Sequence, residues 1–257
     1  PQPMRRRSLW TFLLAPLLVS CLAALDPQAG VVRVPGTHNV LFVGNSHTYT
    51  NDLPGMYRSL ARTMGDTALR VASLAQPNYA LEDHWLVGTV QRSLAGSRWE
   101  FVVLQQGSSA LLTSQQHLLS WTETFAPAIR EAGAEPVLYQ IWPVESRRGD
   151  APATLTSYWN AAEAVDGILA PAGDAFTAAL AAEPPINPYS SDGNHATREG
   201  TYLAAVVLLK RTLGIEPESL PPRIPGSSVD SLRVRRLQAI ARIAIDRSPA
   251  RPTEPRD

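Results

Sequence analysis

Cysteine is almost absent from this chain of 257 residues. The single cysteine is Cys21, in the N-terminal segment, and no residue after it is a cysteine. The remainder of the chain therefore has no thiol nucleophile, no disulfide and no cysteine-based metal site.

An excess of charge of either sign is also missing. Lys plus Arg and Asp plus Glu each number 23, so the formal net charge is zero at pH 7. No arginine stripe with interleaved aromatic residues is present, and nucleic acid is therefore not an expected partner. Neutral ligands such as carbohydrates, esters and lipid-like molecules remain open.

Long uninterrupted apolar runs are absent as well. The segment SLWTFLLAPLLVSCLAAL follows Arg5-Arg6-Arg7 and contains Pro16. It is short for a membrane span, which needs about 20 apolar residues, whereas a basic stretch before a short apolar run is typical of a secretory signal. The tetrapeptide LVSC resembles the bacterial lipoprotein signal, in which the cysteine becomes the lipidated first residue of the mature chain; an incidental thiol is the alternative.

The N-terminal pattern leads to three expectations. Residues 1–21 are predicted to be a lipoprotein-like signal peptide with Cys21 at the cleavage site, and residues 22–36 a tether. The protein is expected to be exported to a bacterial cell envelope, either periplasmic or held at a membrane. A lipid on Cys21 would be the only contact with that membrane.

Segments typical of strands and of helices alternate from residue 37 onward. The strand candidates are NVLFVG, ALRVASLA, WEFVVLQQG, EPVLYQIWP and ILAPAG. The helix candidates are DLPGMYRSLARTMG, ALEDHWLVGTVQRSLAG, SQQHLLSWTETFAPAIREAG, APATLTSYWNAAEAVDG and TREGTYLAAVVLLKRTLG. This alternation predicts βαβ units and a parallel sheet with helices on both faces. Ligands of such sheets bind beyond the carboxyl ends of the strands.

The C-terminal segment VDSLRVRRLQAIARIAID predicts one more helix, packed on a single domain that spans residues 37–246. A basic helix lying on an anionic membrane is the alternative. Residues 247–257 are predicted to be a disordered tail. The residues predicted to share one face of the helix are Val229, Leu232, Arg236, Ile240 and Ile243 or Ala244.

Two polar segments carry residue types that serine hydrolysis needs. The first is GNSHT, where Ser46 directly follows the first strand candidate; a plain polar turn is the alternative. The second is YSSDGNHATREGTYLAA, where Asp192 precedes His195 by three residues in a loop ahead of a helix. A histidine can accept the proton of a serine hydroxyl, and a carboxylate can fix the tautomer of that histidine. Taken alone, the Asp/His pair is also compatible with loop polar groups or metal ligands.

Taken together, GNSHT and DGNHATREGTYLAA resemble the nucleophile and Asp/His segments of the SGNH (GDSL-like) hydrolase superfamily. The resemblance covers roughly residues 38–215 and is closer to a bacterial branch of uncharacterised SGNH proteins. It implies a flavodoxin-like three-layer α/β/α sandwich with a parallel central sheet. It also implies Ser46 as nucleophile, His195 as general base and acid and Asp192 as the orienting carboxylate, without metal or organic cofactor.

In that superfamily the oxyanion hole consists of the serine N–H, a glycine N–H after the second strand and an asparagine side chain after the third. This sequence departs from the pattern at the second and third of these positions. Asn78 stands at the glycine position here, and a backbone N–H survives that change. The third strand ends VVLQQGSSA without asparagine. Ser109 takes the place of the asparagine by register, and Gln105 and Gln106 are the amides near enough to substitute. Losing one oxyanion donor typically costs about 10²- to 10³-fold in turnover.

These observations predict a secreted or lipid-anchored serine esterase for small acyl esters, with O-acetyl groups on carbohydrate as the first substrate class. Acyl transfer to a sugar with the same triad is one alternative. A catalytically weak surface binding module is another, which the missing asparagine favours. A phosphate-binding flavodoxin-like protein ranks last because the loop after the first strand has too few glycines for a phosphate cradle. His47, beside the serine, is expected either to shape the pocket or to lie in a solvated turn. Trp142 and Glu145 lie on the predicted rim, where they could contact a sugar ring or an acyl group, and packing is the default for Trp142. His84 is expected to pack, and His117 to lie on a helix surface.

Overall fold

The computed structural model describes residues 38–248 and residue 250. All described residues belong to one compact unit. The predicted signal peptide, Cys21 and the predicted tether lie outside the described residues.

The chain after residue 38 alternates strands and helices as expected. The strands are β1 (Asn39–Gly44), β2 (Arg70–Ala75), β3 (Phe101–Leu104), β4 (Glu135–Gln140) and β5 (Ile168–Pro171). The helices are α1 (Ser46–Tyr49), α2 (Leu53–Thr63), α3 (Leu81–Val87), α4 (Thr89–Gly96), α5 (Leu112–Glu131), α6 (Ala151–Ala164), α7 (Ala172–Leu180), α8 (Arg198–Leu213) and α9 (Ser231–Arg247). Short 3-10 segments cover Thr50–Asp52, Glu145–Asp150 and Pro217–Ser219.

The five strands form one sheet in the order β2-β1-β3-β4-β5, and every pair is parallel. This is the flavodoxin-like order, and the prediction of a three-layer α/β/α fold is confirmed. The chain leaves β1 towards β2 and then returns past it to β3, so the order reverses beside the carboxyl end of β1. A crevice opens at such a reversal, and ligands of open α/β sheets bind there.

Helices cover both faces of the sheet because successive strand residues point to opposite sides. In β1, Val40 and Phe42 pack with helices α2, α7, α8 and α9, whereas Leu41 and Val43 pack with α3 to α6. All four side chains are fully buried. Helix α8 is buried along residues 200–209, as expected for a helix enclosed by other helices.

Three details of the predicted elements were wrong. The helix predicted after β2 is split into α3 and α4 at Gly88, whose φ of 72° lies in the left-handed region. The predicted strand segment ILAPAG is strand only as far as Pro171, and Ala172 and Gly173 open helix α7. In α9 the buried side includes Val234, Leu237 and Ala241, while Leu232 is exposed, so the predicted face is displaced.

The C-terminal boundary also lies later than the predicted residue 246. Helix α9 continues to Arg247, and the carbonyl of Ala250 accepts a hydrogen bond of 2.8 Å from the backbone N–H of Leu169 in β5. Ser248 is buried. Residues 251–257, most of the predicted tail, lie outside the described residues. Within the described part of the chain, no helix combines the length and hydrophobicity needed to cross a membrane.

Candidate active site

Ser46 lies at the carboxyl end of β1, where the sheet order reverses. Asn45 acts as the N-cap of α1, its side-chain oxygen accepting the N–H of His47 at 3.2 Å. Ser46 is therefore the first residue of a helix that begins directly after a buried strand. The sequence prediction of a strand-to-helix turn at GNSHT matches this local structure.

Buried polar groups hold this turn from the inside. The side-chain oxygen of Gln105 accepts the backbone N–H of Asn45 at 2.9 Å and the hydroxyl of Thr48 at 2.8 Å. The Gln105 amide also donates to the side-chain oxygen of Asn45 at 3.0 Å. From the other side, Nε2 of His84 donates to the Gly44 carbonyl at 2.8 Å. His84 was expected to pack only, and its support of the turn was visible only in the structure.

His195 and Asp192 lie in the loop between α7 and α8. An antiparallel bridge joins Tyr189 to Ala196, and the N–H of Ser190 donates to the His195 carbonyl at 2.8 Å. Thr197 caps α8 by accepting the N–H of Gly200 at 3.1 Å. This loop, residues 186–197, is called the histidine loop below.

The fold brings the three predicted residues Ser46, Asp192 and His195 together. Ser46 Oγ lies 2.8 Å from His195 Nε2, and His195 Nδ1 lies 2.6 Å from Asp192 Oδ2. A carboxylate only accepts hydrogen bonds, so Nδ1 carries the proton in the neutral ring. Nε2 then offers a lone pair to the serine hydroxyl, the arrangement that nucleophilic activation requires.

Asp192 is stabilised as an anion although it is exposed. Its Oδ1 accepts the hydroxyl of Ser190 at 2.6 Å and the N–H groups of Asn194 and His195 at 2.8 and 2.9 Å. These bonds, with that of Ser190 the strongest and the His195 ring next, hold the pKa of Asp192 far below its usual value. The carboxylate is thus ionised when His195 becomes protonated.

His47 lies beside His195, with ring centroids 5.4 Å apart. Burial, reinforced by the charge of His195, lowers the pKa of His47 to about 4. Its Nε2 is buried without a hydrogen-bond partner in the described part of the chain. His47 therefore remains neutral near pH 7 and does not compete with His195 for a proton.

Two backbone N–H groups are available for an oxyanion. Asn78 has a φ of 61° in the turn closed by the Tyr79 N–H and the Gln76 carbonyl at 3.3 Å. Asparagine tolerates this left-handed conformation better than most residues, so it replaces glycine without loss of the turn. The flanking residues are bound to the nucleophile turn, through Gln76 N–H to the Gly44 carbonyl and Asn45 Nδ2 to the Tyr79 carbonyl. No acceptor among the described residues contacts the N–H of Ser46 or Asn78.

The side chains predicted as substitutes for the asparagine point into the protein. Gln105 is fully buried, and its amide donates to Asn45 and to the Gln106 carbonyl. Gln106 is also buried and donates to Ser109 Oγ at 3.1 Å. Ser109 donates in turn to the Gly107 carbonyl. The prediction of these three side chains as oxyanion groups is therefore corrected, because their donors serve internal acceptors and Gln105 supports the nucleophile turn instead.

The loop after β4 supports the histidine loop. Trp142 is buried, stacks on Phe176 and donates from Nε1 to the Asn194 carbonyl at 2.9 Å. The N–H of Glu145 donates to the Gly193 carbonyl at 2.7 Å. Trp142 therefore packs behind the site, as the default expectation had it. His117 in α5 contacts Glu82 in α3, with His117 Nε2 2.9 Å from Glu82 Oε2.

Among the described residues, no group of three or more His, Cys, Asp or Glu side chains is arranged to hold a metal ion. The grouping of Asp192 with His195 is accounted for by the contact with Ser46.

No protein-family model and no curated protein matches this sequence. Solved structures do match. A candidate SGNH hydrolase from Slackia heliotrinireducens is 28% identical with a TM-score of 0.60, over 69% of this chain and all of that one. A DUF4886 family protein from Bacteroides uniformis is 18% identical with a TM-score of 0.67, over 81% of this chain and 95% of the other. A catalytic mutant of an acetylxylan esterase from Geobacillus stearothermophilus is 15% identical with a TM-score of 0.54, over 70% and 96%. The fold is that of SGNH hydrolases.

Proposed function

We propose that this protein is a serine esterase that cleaves small carboxylic esters through an acyl-enzyme. The observation that supports this most strongly is the continuous contact from Ser46 Oγ to His195 to Asp192, at 2.8 and 2.6 Å. These residues come from two segments 149 positions apart, and they meet where the sheet order reverses.

In this proposal His195 Nε2 takes the hydroxyl proton as Ser46 Oγ attacks the ester carbonyl carbon. The negative charge on the former carbonyl oxygen is stabilised by the N–H groups of Ser46 and Asn78. The imidazolium, held by Asp192, returns its proton to the leaving alcohol as the carbon–oxygen bond breaks. Water then attacks the acyl-serine with His195 as base, releasing the carboxylic acid and restoring the serine hydroxyl.

The proposed substrates are O-acetyl esters on carbohydrate. The open setting of the site supports a bulky alcohol portion, since the side chains of His195 and Asp192 are 28% and 51% exposed. One structural neighbour is described as an acetylxylan esterase, which makes acetylated sugar the first class to test. The absence of an asparagine donor after β3 favours a second candidate, a weakly catalytic binding module, because one oxyanion donor is worth about 10²- to 10³-fold in rate.

Export and lipid anchoring are part of the same proposal. Support comes from Arg5-Arg6-Arg7, from the short apolar run that follows and from the position of Cys21 at its end. A lipid on Cys21 would hold the domain at a membrane surface.

The experiment compares the chain from residue 22 onward with its Ser46→Ala variant in hydrolysis of a chromogenic acetyl ester at pH about 8. We expect Ser46→Ala to lose about 10⁴-fold or more in kcat, because the nucleophile is removed. Ser97→Ala, at an exposed site at the end of α4, is the matched control and should be unchanged.

Acetylated xylo-oligosaccharides, with and without an added sugar acceptor, then separate hydrolysis from acyl transfer. Release of acetate without acceptor supports the esterase, and turnover only with acceptor supports the transferase. Equal rates for the wild type and Ser46→Ala would refute the nucleophile, and binding of the sugar without turnover would support the binding module.

A further inference from the structure

Asn51 connects the nucleophile segment to the histidine loop. It lies in the 3-10 segment Thr50–Asp52, between α1 and α2. Its side-chain amide donates to the carbonyl of Ala196 and to Oγ1 of Thr201, both at 2.9 Å. Ala196 is the residue after His195, and Thr201 lies in the first turns of α8.

This connection matters because Ser46 and His195 belong to separate parts of the chain. In addition to the Ser46–His195 contact, the two bonds from Asn51 join residues 45–52 to residues 186–201. The next one between α2 and α8 joins Tyr57 to Thr212, three turns further along α8. Both N–H bonds of the Asn51 amide are therefore used at the point where the two segments meet.

The backbone of Asn51 has an unusual conformation. Asn51 and Asp52 have φ of 54° and ψ of 19° and 58°, so two successive residues other than glycine are left-handed. This conformation is unfavourable for residues other than glycine, although Asn and Asp tolerate it best. Asp52 offsets its own cost by capping α2, its Oδ1 accepting the N–H of Gly55 at 3.0 Å. The side chain of Asn51 does not cap its own helix but contacts Ala196 of the histidine loop and Thr201 of α8.

We propose that Asn51 is a positioning residue that sets the distance between Ser46 and His195. The expected effect on kcat rests on the proposed function, whereas the expected effect on the distance between Ser46 and His195 does not. A displacement of about 1 Å between reacting groups can cost about 10²-fold in rate. Loss of the Asn51 amide removes the two direct bonds that oppose such a displacement.

The decisive variant is Asn51→Gly, because glycine adopts the left-handed conformation freely. It removes the amide without adding backbone strain. Asp52→Gly is the matched control, since it has the same backbone conformation, incurs the same entropic cost and loses a side chain that caps α2 but does not touch the histidine loop. Thr201→Val removes one of the two acceptors and tests the link from the other side.

We expect Asn51→Gly to lower kcat by about 10- to 100-fold with KM within about threefold. Thr201→Val should lower kcat by a smaller factor. Asp52→Gly should leave kcat unchanged and lower the melting temperature. A merely structural role for Asn51 predicts the reverse, with kcat retained in Asn51→Gly, and that result would overturn the proposal.

A second measurement needs no substrate. The ¹⁵N chemical shift of His195 Nε2 reports whether the ring accepts the Ser46 hydroxyl. We expect the shift to move towards that of Ser46→Ala in Asn51→Gly and to stay at the wild-type position in Asp52→Gly. If the wild type hydrolyses no ester, the proposed function fails while this measurement still decides the role of Asn51. An unchanged shift in Asn51→Gly would overturn it.

Discussion

Replacing Gly44 by alanine would place a methyl group inside the network that holds the nucleophile turn. A Cβ at residue 44 would lie 2.3 Å from the side-chain oxygen of Gln105 and 2.4 Å from Oγ1 of Thr48. Both distances are far below van der Waals contact, and these two atoms are hydrogen-bonded to each other. Gln105 is fully buried and has no room to retreat.

The expected loss follows from the contacts that must give way. Overpacking of a core costs about 1–3 kcal/mol. If the Gln105 amide moves, the N–H of Asn45 and the hydroxyl of Thr48 each lose a buried acceptor, at about 1–3 kcal/mol per group. We therefore expect Gly44→Ala to lose about 1–3 kcal/mol of unfolding free energy from overpacking alone, and more where either group loses its acceptor. We also expect kcat to fall about 10²-fold, because Ser46 is displaced from His195.

Urea unfolding and ester hydrolysis measure these two losses. Gly96→Ala is the control, because a Cβ there meets no atom within 4 Å and the residue lies in helix α4. It should be neutral or more stable by up to about 1 kcal/mol. The Gly44→Ala/Gln105→Ala double variant should cost at least about 1 kcal/mol less than the sum of the single variants, since the clashing amide is gone. Wild-type stability and kcat in Gly44→Ala, or strict additivity in the double variant, would refute the reasoning.

Two further predictions concern pH and the N-terminus. Burial lowers the pKa of His47 from 6.5 to about 4, so the unfolded chain binds more protons between these values and the unfolding free energy falls as the pH drops through this window. The loss amounts to no more than about 3.4 kcal/mol. Urea unfolding at several pH values should show a larger loss in the wild type than in His47→Asn, and equal losses in both would contradict the assignment. For Cys21, the mass of the mature chain recovered from bacterial membranes should include a diacylglycerol that Cys21→Ser lacks, whereas an unmodified soluble chain would show that the thiol is incidental.

The strands and their order of appearance could be predicted because each depends on a short local pattern. NVLFVG is β1 residue for residue, since a run of apolar, mostly β-branched or aromatic residues suits a buried parallel strand. Helix α8 is flanked by its caps Thr197 and Gly214, which are the first and last residues of the predicted helix segment TREGTYLAAVVLLKRTLG. These signals lie within a few residues of the structure they specify.

The sequence predictions were wrong where the local sequence is compatible with more than one structure and tertiary packing selects one of them. Apolar residues on several sides of α9 allow more than one buried face, and contacts with α7 and α8 decide for Val234, Leu237 and Ala241. The alanine-rich segment after β5 lacks a pattern that distinguishes helix from loop, yet it becomes α7 as the amide oxygen of Gln140 accepts the N–H groups of Gly173 and Asp174.

The sequence alone determined the kind of fold and where a reactive serine and an Asp/His pair occur along the chain, because strand periodicity, caps and turns are local properties. Only the tertiary structure decided which side chains meet. Gln105 and Asn45 are 60 positions apart, and Asn51 and Ala196 are 145 apart. A hydrogen bond requires its atoms to lie within a few tenths of an ångström of about 2.9 Å, and that precision between distant segments comes from the packing of the whole domain.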